Sequence, residues 1–151
     1  IHIPPAELFR QLMQYASPFE VEADLNSPYH TLKKGYELDR EHLDQIQPIE
    51  SSDIIEVYEL PCEAWARRIS GVFANELANQ SPDKGHAVLT LNQSREDYTV
   101  SVRAPLTNRV GADEICIRFA TGGGRKAAAG INQLPLESKS TFIEVLSRYY
   151  E

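Results

Sequence analysis

Three consecutive glycines followed by two basic residues form the segment best suited to chemistry, from Gly122 to Lys126. Consecutive glycines let the backbone turn through positive φ angles, and the N–H groups exposed in such a turn form a concave site for an anion. Arg125 adds a planar donor fork for phosphate, and Lys126 adds a point charge. The segment therefore predicts a phosphate-sized anion site. The alternative is a glycine cluster that ends a helix, with both basic side chains solvated beside it.

The spacing of the glycines excludes two common nucleotide-binding motifs. The Walker pattern G-x-x-x-x-G-K-[ST] is absent. A Rossmann fingerprint is also excluded, because these glycines follow a predicted helix rather than a strand. A glycine turn that holds the pyrophosphate of acetyl-CoA, as in acyltransferases, remains an alternative function, although such a turn should lead from a strand into a helix.

The distribution of charge favours an anion site at the same segment. The chain of 151 residues has a formal net charge of −7, which argues against non-specific coating of nucleic acid, because phosphate contacts need clustered Lys and Arg. Residues 99–136 nevertheless contain five basic and two acidic residues. The glycine segment therefore lies in the one positive stretch of an acidic chain.

Two motifs in this stretch resemble those of a known family. The segment G-G-G-R-K-A-A-A-G at residues 122–130 is similar to the DHHA1 signature G-G-G-H-x-x-A-[AS]-G, and Ser101-Val102-Arg103 matches a strand that ends S-x-R. The sequence thus resembles the DHHA1 domain, the C-terminal substrate-binding domain of DHH-family phosphoesterases of the RecJ-like and oligoribonuclease-like types. The resemblance covers residues 52–151. The substrate-binding and phosphate-binding residues that it implies are Arg103, Gly122, Gly123, Gly124, Arg125, Lys126, Ala129 and Gly130.

One residue departs from the family signature. Arg125 stands where the family has a histidine that contacts the substrate phosphate. Arginine binds an anion but stays charged, so it cannot donate and recover a proton as histidine does. We therefore expect phosphate binding without a proton-donor role at this position.

The resemblance also implies metal ions, but in another domain. DHH phosphoesterases hold Mn or Mg in an N-terminal DHH domain, where two metal ions activate a water molecule for attack on phosphorus. The four histidines of this chain are scattered, without metal-ligand spacing, and are interpreted as surface or linker residues. We expect no cofactor and no catalytic residue in this chain.

The resemblance thus implies a binding module. Its function would be to hold a nucleic-acid or nucleotide phosphate for a phosphoesterase whose catalytic metal domain is absent from this chain. The expected partners are a short oligonucleotide or phosphorylated small molecule, the DHH domain of the same parent chain and, in a homodimer, a second copy; no membrane partner is expected. A cytoplasmic location is expected because two cysteines do not form a disulfide framework. A structural or oligomerisation domain is the remaining alternative.

The elements needed to position these motifs follow from apolar periodicity. The order strand, helix, strand, strand, helix, strand, helix predicts an α/β (α+β) fold with a mixed central sheet and flanking helices. Asn108 or Thr107 is predicted to cap the helix before the glycines. Residues 1–51 are predicted to be a partly helical connector from an absent N-terminal domain. The predicted strands are 54–60, 87–91, 98–103 and 130–134. The first predicted helix of the domain has Pro61 in its first turn, an apolar face from Trp65 to Leu77 and its end at 81–85. The other two predicted helices are 112–119 and 142–149.

Overall fold

A computed structural model describes all residues from 1 to 151. The helices are α1 (Pro5–Leu12), α2 (Pro18–Ala23), α3 (Pro28–Glu41), α4 (Ala64–Gln80), α5 (Ala112–Cys116) and α6 (Lys139–Tyr150). The strands are β1 (Pro48–Ser51), β2 (Ile55–Leu60), β3 (Gly85–Leu91), β4 (Asp97–Arg103), β5 (Gly122–Arg125) and β6 (Ala128–Pro135). Short 3-10 turns lie at His42–Gln45 and Leu136–Ser138. None of the helices has the length and apolar character that crossing a bilayer requires.

The chain divides into two compact units, Ile1–Gln45 and Ile46–Glu151. The first unit consists of α1 to α3 and a 3-10 turn, and each helix begins at a proline, whose missing N–H costs nothing at a helix start. Several side-chain bonds tie these helices together: the Tyr15 hydroxyl donates to Asp24 at 2.6 Å, His2 Nε2 lies 3.0 Å from Asp39 Oδ2, and His30 Nε2 lies 2.8 Å from the Glu22 carbonyl oxygen.

The second unit is built on a six-stranded sheet in the order β1-β2-β3-β4-β6-β5. Only β2 and β3 are parallel, and α4 is the connection between them; all other neighbours are antiparallel. A parallel pair needs such a crossover, because its strands cannot be joined by a tight turn. The mixed sheet with flanking helices confirms the predicted fold class.

Helices cover the sheet on both faces. The main core joins inward residues of the strands to Ala112, Ile115, Phe142 and Leu146 of α5 and α6, and it contains no residue of α4. The alternate strand residues face α4, where the Tyr58 ring meets Phe73 edge-on at 5.0 Å. Because successive side chains of a strand point to opposite faces, a residue's position in β2 to β4 decides which helix it meets.

Several boundaries differ from the predictions, and those of the domain and of α5 matter most for the site. β1 belongs to the sheet, so the second unit begins at Ile46 rather than at residue 52. α5 ends at Cys116 rather than residue 119, and its N-cap is Gly111 with φ of +96°, not Asn108 or Thr107. Glycine is needed there because a Cβ at Gly111 would lie 2.0 Å from the Tyr149 ring.

The core predicts a strong effect of truncating α6. Phe142 is fully buried and meets the Phe119 ring at 5.7 Å. We expect Phe142→Ala to lower the free energy of unfolding by about 3–5 kcal/mol, since it removes buried area and leaves a cavity. Urea unfolding followed by circular dichroism measures this change. Ile117→Ala is the control, because Ile117 is 73% exposed; equal effects of the two substitutions would contradict the assigned core.

Candidate phosphate-binding site

Arg103 is the last residue of β4, and its side chain lies on the face of the sheet that α4 covers. Its Nε donates to Asn75 Oδ1 of α4 at 2.7 Å, and Nη1 donates to the Val102 carbonyl at 3.0 Å. Burial, and to a smaller degree the charge of Arg125, lower the pKa of Arg103 below its ordinary value. Arg103 is thus a partly buried cation with a fixed orientation.

A cavity of about 330 Å³ opens beside this guanidinium. It contains a second cation, Arg109, from the loop after β4, whose Nε lies 3.4 Å from the Leu106 carbonyl. No carboxylate lines it, although the chain carries 22 acidic residues. The lining residues are Asn75, Ala78, Asn79, Arg103, Ala104, Leu106, Arg109, Ala127 and Ala128. The cavity therefore presents positive charge and amide groups, which suit an anion.

Arg125 reaches the same end of the sheet through strand pairing. Arg103 pairs with Ala128 of β6, and Ala128 pairs with Arg125 of β5. Directly paired residues point to the same face, so both arginines lie on the α4 face. Lys126 is exposed in the turn of the β5–β6 hairpin, where its carbonyl accepts a bond from the Ala112 N–H at 3.0 Å.

The glycines do not form the predicted loop. Gly122 to Gly124 lie in β5, at the edge of the sheet, and among them only Gly124 has a positive φ, at +147°. Pairing with β6 keeps this segment extended, so a concave turn of N–H groups does not form there. The segment follows α5 and forms the first strand of the β5–β6 hairpin. A glycine turn that binds acetyl-CoA would instead lead from a strand into a helix.

Close packing accounts for three of the four glycines in the motif. A Cβ at Gly122 would lie 1.8 Å from the Cys116 carbonyl oxygen, one at Gly124 would lie 2.5 Å from Ala129 Cα, and one at Gly130 would lie 2.7 Å from the Val100 carbonyl oxygen. Gly123 is different, since its Cβ would have no neighbour within 4 Å. Gly122, Gly124 and Gly130 thus have packing roles, and Gly123 is open to solvent.

Ala129 points away from the cavity. It alternates with Ala128 along β6, is 9% exposed and belongs to the core on the α5 and α6 side. Of the predicted site residues, the structure brings Arg103 and Arg125 together at the cavity's end of the sheet. Lys126 and Gly123 are exposed, and Ala129 is part of the core.

Sequence reasoning missed Arg109 and Asn75. Arg109 contributes to the positive stretch of residues 99–136, and this charge is the signal that could have identified it. Asn75 is 28 residues from Arg103 in the chain, and only the packing of α4 on β4 brings them together. No local motif could have indicated that contact.

His86 is buried rather than on the surface, contrary to the sequence interpretation. It pairs with Arg103 of β4 and with Glu56 of β2, it is fully buried, and neither ring nitrogen makes a hydrogen bond. Its Nε2 lies 3.6 Å from Glu56 Oε2, and the Lys84 ammonium group lies 3.4 Å from Glu56 Oε1. Burial lowers the pKa of His86, and the Glu56 carboxylate opposes that shift.

The described residues do not fit a metal ion. They contain no group of three or more His, Cys, Asp or Glu side chains placed to hold one. The cavity lining supplies guanidinium and amide groups, and a cation would be repelled by Arg103 and Arg109.

Several solved structures are similar to this chain. The chain matches the pGpG-specific phosphodiesterase PggH from Vibrio cholerae with a TM-score of 0.61 and 15% identity, over 100% of this chain and 53% of that one. It matches RecJ from Thermus thermophilus, solved with Mg²⁺, with a TM-score of 0.63 and 17% identity, over 96% of this chain and 22% of that one. It also matches an exopolyphosphatase-related protein from Bacteroides fragilis with a TM-score of 0.56 and 14% identity, over 98% and 40%.

These likenesses show the fold alone. The chain has the α/β fold of one part of each of these proteins, and it spans between about a fifth and about half of their lengths. No protein-family model and no curated protein matches the sequence.

The glycine packing predicts opposite outcomes for neighbouring positions. We expect Gly122→Ala to lower the free energy of unfolding by about 2 kcal/mol or more, since the new methyl group meets the rigid Cys116 carbonyl. Gly123→Ala is the matched control and should leave stability within about 0.5 kcal/mol of wild type. Thermal unfolding measures both variants, and equal loss in the two would refute the packing role.

The buried His86 predicts a pH dependence of stability. Its pKa is lowered in the folded state, so below about 6.5 the unfolded chain takes up a proton that the folded chain does not. The stability that this difference in pKa contributes is fully present above about pH 6.5 and is lost as the pH falls. We expect the free energy of unfolding to decline from pH 7.5 to 5.5 more steeply in wild type than in His86→Leu. Parallel profiles would show that His86 titrates alike in both states.

Proposed function

We propose that the chain is a nucleic-acid-binding or nucleotide-phosphate-binding C-terminal domain of a DHH-family phosphoesterase. The observation that carries this proposal is the cavity of about 330 Å³ that contains Arg103 and Arg109 and no carboxylate. Guanidinium groups bind phosphate oxygens through paired N–H donors, and a partly enclosed site strengthens those bonds. The cavity lies at the end of β4, where the S-x-R motif places Arg103.

The similar proteins support the kind of ligand. One is named as acting on pGpG, and another as related to an exopolyphosphatase. What a dinucleotide such as pGpG and a polyphosphate share is more than one phosphate group in a linear molecule. For this chain we propose a short oligonucleotide with a terminal phosphate, with Arg103, Arg109 and Arg125 as the cations that hold it.

The proposal assigns binding to this chain and hydrolysis to a separate metal-binding domain of the parent protein. That domain would hold the Mn or Mg ions, for which no ligand set exists among the residues described. Arg125 occupies the position of the signature histidine and stays charged across the physiological range. The domain would therefore orient the phosphate without transferring a proton.

Titration of a 5′-phosphorylated dinucleotide tests the proposal. We expect Arg103→Ala to weaken binding by about tenfold or more, because a charge-assisted hydrogen bond contributes roughly 1.5–3 kcal/mol. Arg109→Ala and Arg125→Ala should weaken it less, since both side chains are exposed. Each substitution should also reduce the dependence of the binding constant on salt.

Arg118→Ala is the matched control, since Arg118 lines a separate cavity with Arg148 and Tyr149 of α6. It should bind as wild type. Inorganic phosphate should compete with the dinucleotide. Acetyl-CoA should bind no more tightly than is expected from its phosphate groups alone. If Arg103→Ala binds as wild type, the site is wrong.

A further inference from the structure

The guanidinium of Arg103 is held by three oxygen acceptors. Nε donates to Asn75 Oδ1 at 2.7 Å, Nη1 to the Val102 carbonyl at 3.0 Å and Nη2 to the Gly71 carbonyl at 3.4 Å. A guanidinium carries five N–H donors, one on Nε and two on each terminal nitrogen. Three donors are thus engaged, and one N–H remains on each terminal nitrogen.

Helix α4 supplies two of these acceptors. Gly71 and Asn75 are four residues apart, so they lie on one face of the helix, one turn from each other. The helix itself is fixed, because Phe73, Ala74, Leu77 and Ala78 are buried. The Asn75 side chain makes the shortest of the three bonds to Arg103. The other two acceptors are backbone carbonyls, so only the bond to Asn75 can be removed by a substitution.

We infer that Asn75 is a positioning residue that orients Arg103 for phosphate, an inference that rests on the proposed function. An arginine in solution samples many rotamers, and binding a ligand must freeze them. Asn75 fixes the guanidinium before the ligand arrives, so that the two remaining N–H groups are available together for two phosphate oxygens. The amide does this without adding a negative charge that would compete with the phosphate.

A double-mutant cycle separates positioning from direct contact, because Asn75 also lines the cavity. We expect Asn75→Ala to weaken binding of a 5′-phosphorylated dinucleotide by about 3- to 10-fold, the cost of ordering one long side chain. In the Arg103→Ala background the same substitution should change binding by less than about twofold. Gln80→Ala is the control on the same helix, since Gln80 is exposed and does not line the cavity.

The Arg103 Nε–H signal in ¹⁵N NMR provides a readout that does not need a ligand. We expect slow exchange with solvent in wild type and in Asn75→Asp, which keeps an oxygen acceptor, and fast exchange in Asn75→Ala. Asn75→Asp should nevertheless bind the dinucleotide more weakly than wild type, because its carboxylate offsets the charge of Arg103.

The outcomes distinguish this inference from the proposed function. If Arg103→Ala binds as wild type, the phosphate site itself is wrong. If Arg103→Ala is impaired but Asn75→Ala binds as wild type, only the positioning role is refuted. An equal loss on substituting Asn75 in both backgrounds would also overturn it, since that result indicates an effect independent of Arg103. The positioning role is also refuted if the Arg103 Nε–H exchanges equally fast in wild type and in Asn75→Ala.

Discussion

The close approach of two backbones at Gly130 is the constraint on which the site depends. A Cβ at this position would lie 2.7 Å from the Val100 carbonyl oxygen, so only glycine lets β6 pair with β4 here. The pairing then runs from Ser101 opposite Gly130 to Arg103 opposite Ala128. This register sets the β5–β6 hairpin beside Arg103 and brings Arg125 to the same face of the sheet. A slip of β6 against β4 by one residue would leave Arg103 in place and turn Arg125 to the opposite face of the sheet.

The elements with a continuous apolar pattern were predictable from sequence. The helix predicted from the apolar face between Trp65 and Leu77 is α4, although α4 begins at Ala64 rather than at Pro61. The predicted strand 98–103 is β4, which has one further residue. β5 was not predictable, because three glycines carry no side-chain pattern, and their extended conformation comes from pairing with β6. β1 was missed for a related reason: three of its four residues are exposed, so it lacks the alternation that marks a half-buried strand.

The site was predictable only where its residues form a local motif. Arg103 and Arg125 belong to such motifs, whereas Asn75 and Arg109 reach the cavity through packing of α4 and through the loop after β4. The glycine run also shows how one pattern supports two interpretations. Its residues suggested a ligand loop, but contacts at Gly122 and Gly124 with backbone and Ala129 explain why those positions lack side chains. Local spacing cannot separate the two, since both need glycine.

The partners of Arg103 explain why its charge remains available. Two partly buried lysines of the same unit are paired with carboxylates: Lys84 lies 3.4 Å from Glu56, and Lys139 lies 3.0 Å from Glu59. Arg103 instead donates to the neutral oxygens of Asn75, Gly71 and Val102. Neutral acceptors satisfy its buried N–H groups but leave its positive charge uncompensated, which costs free energy in a partly buried site. An anionic ligand would reduce that cost, and this supports the proposal that a phosphate group binds beside Arg103.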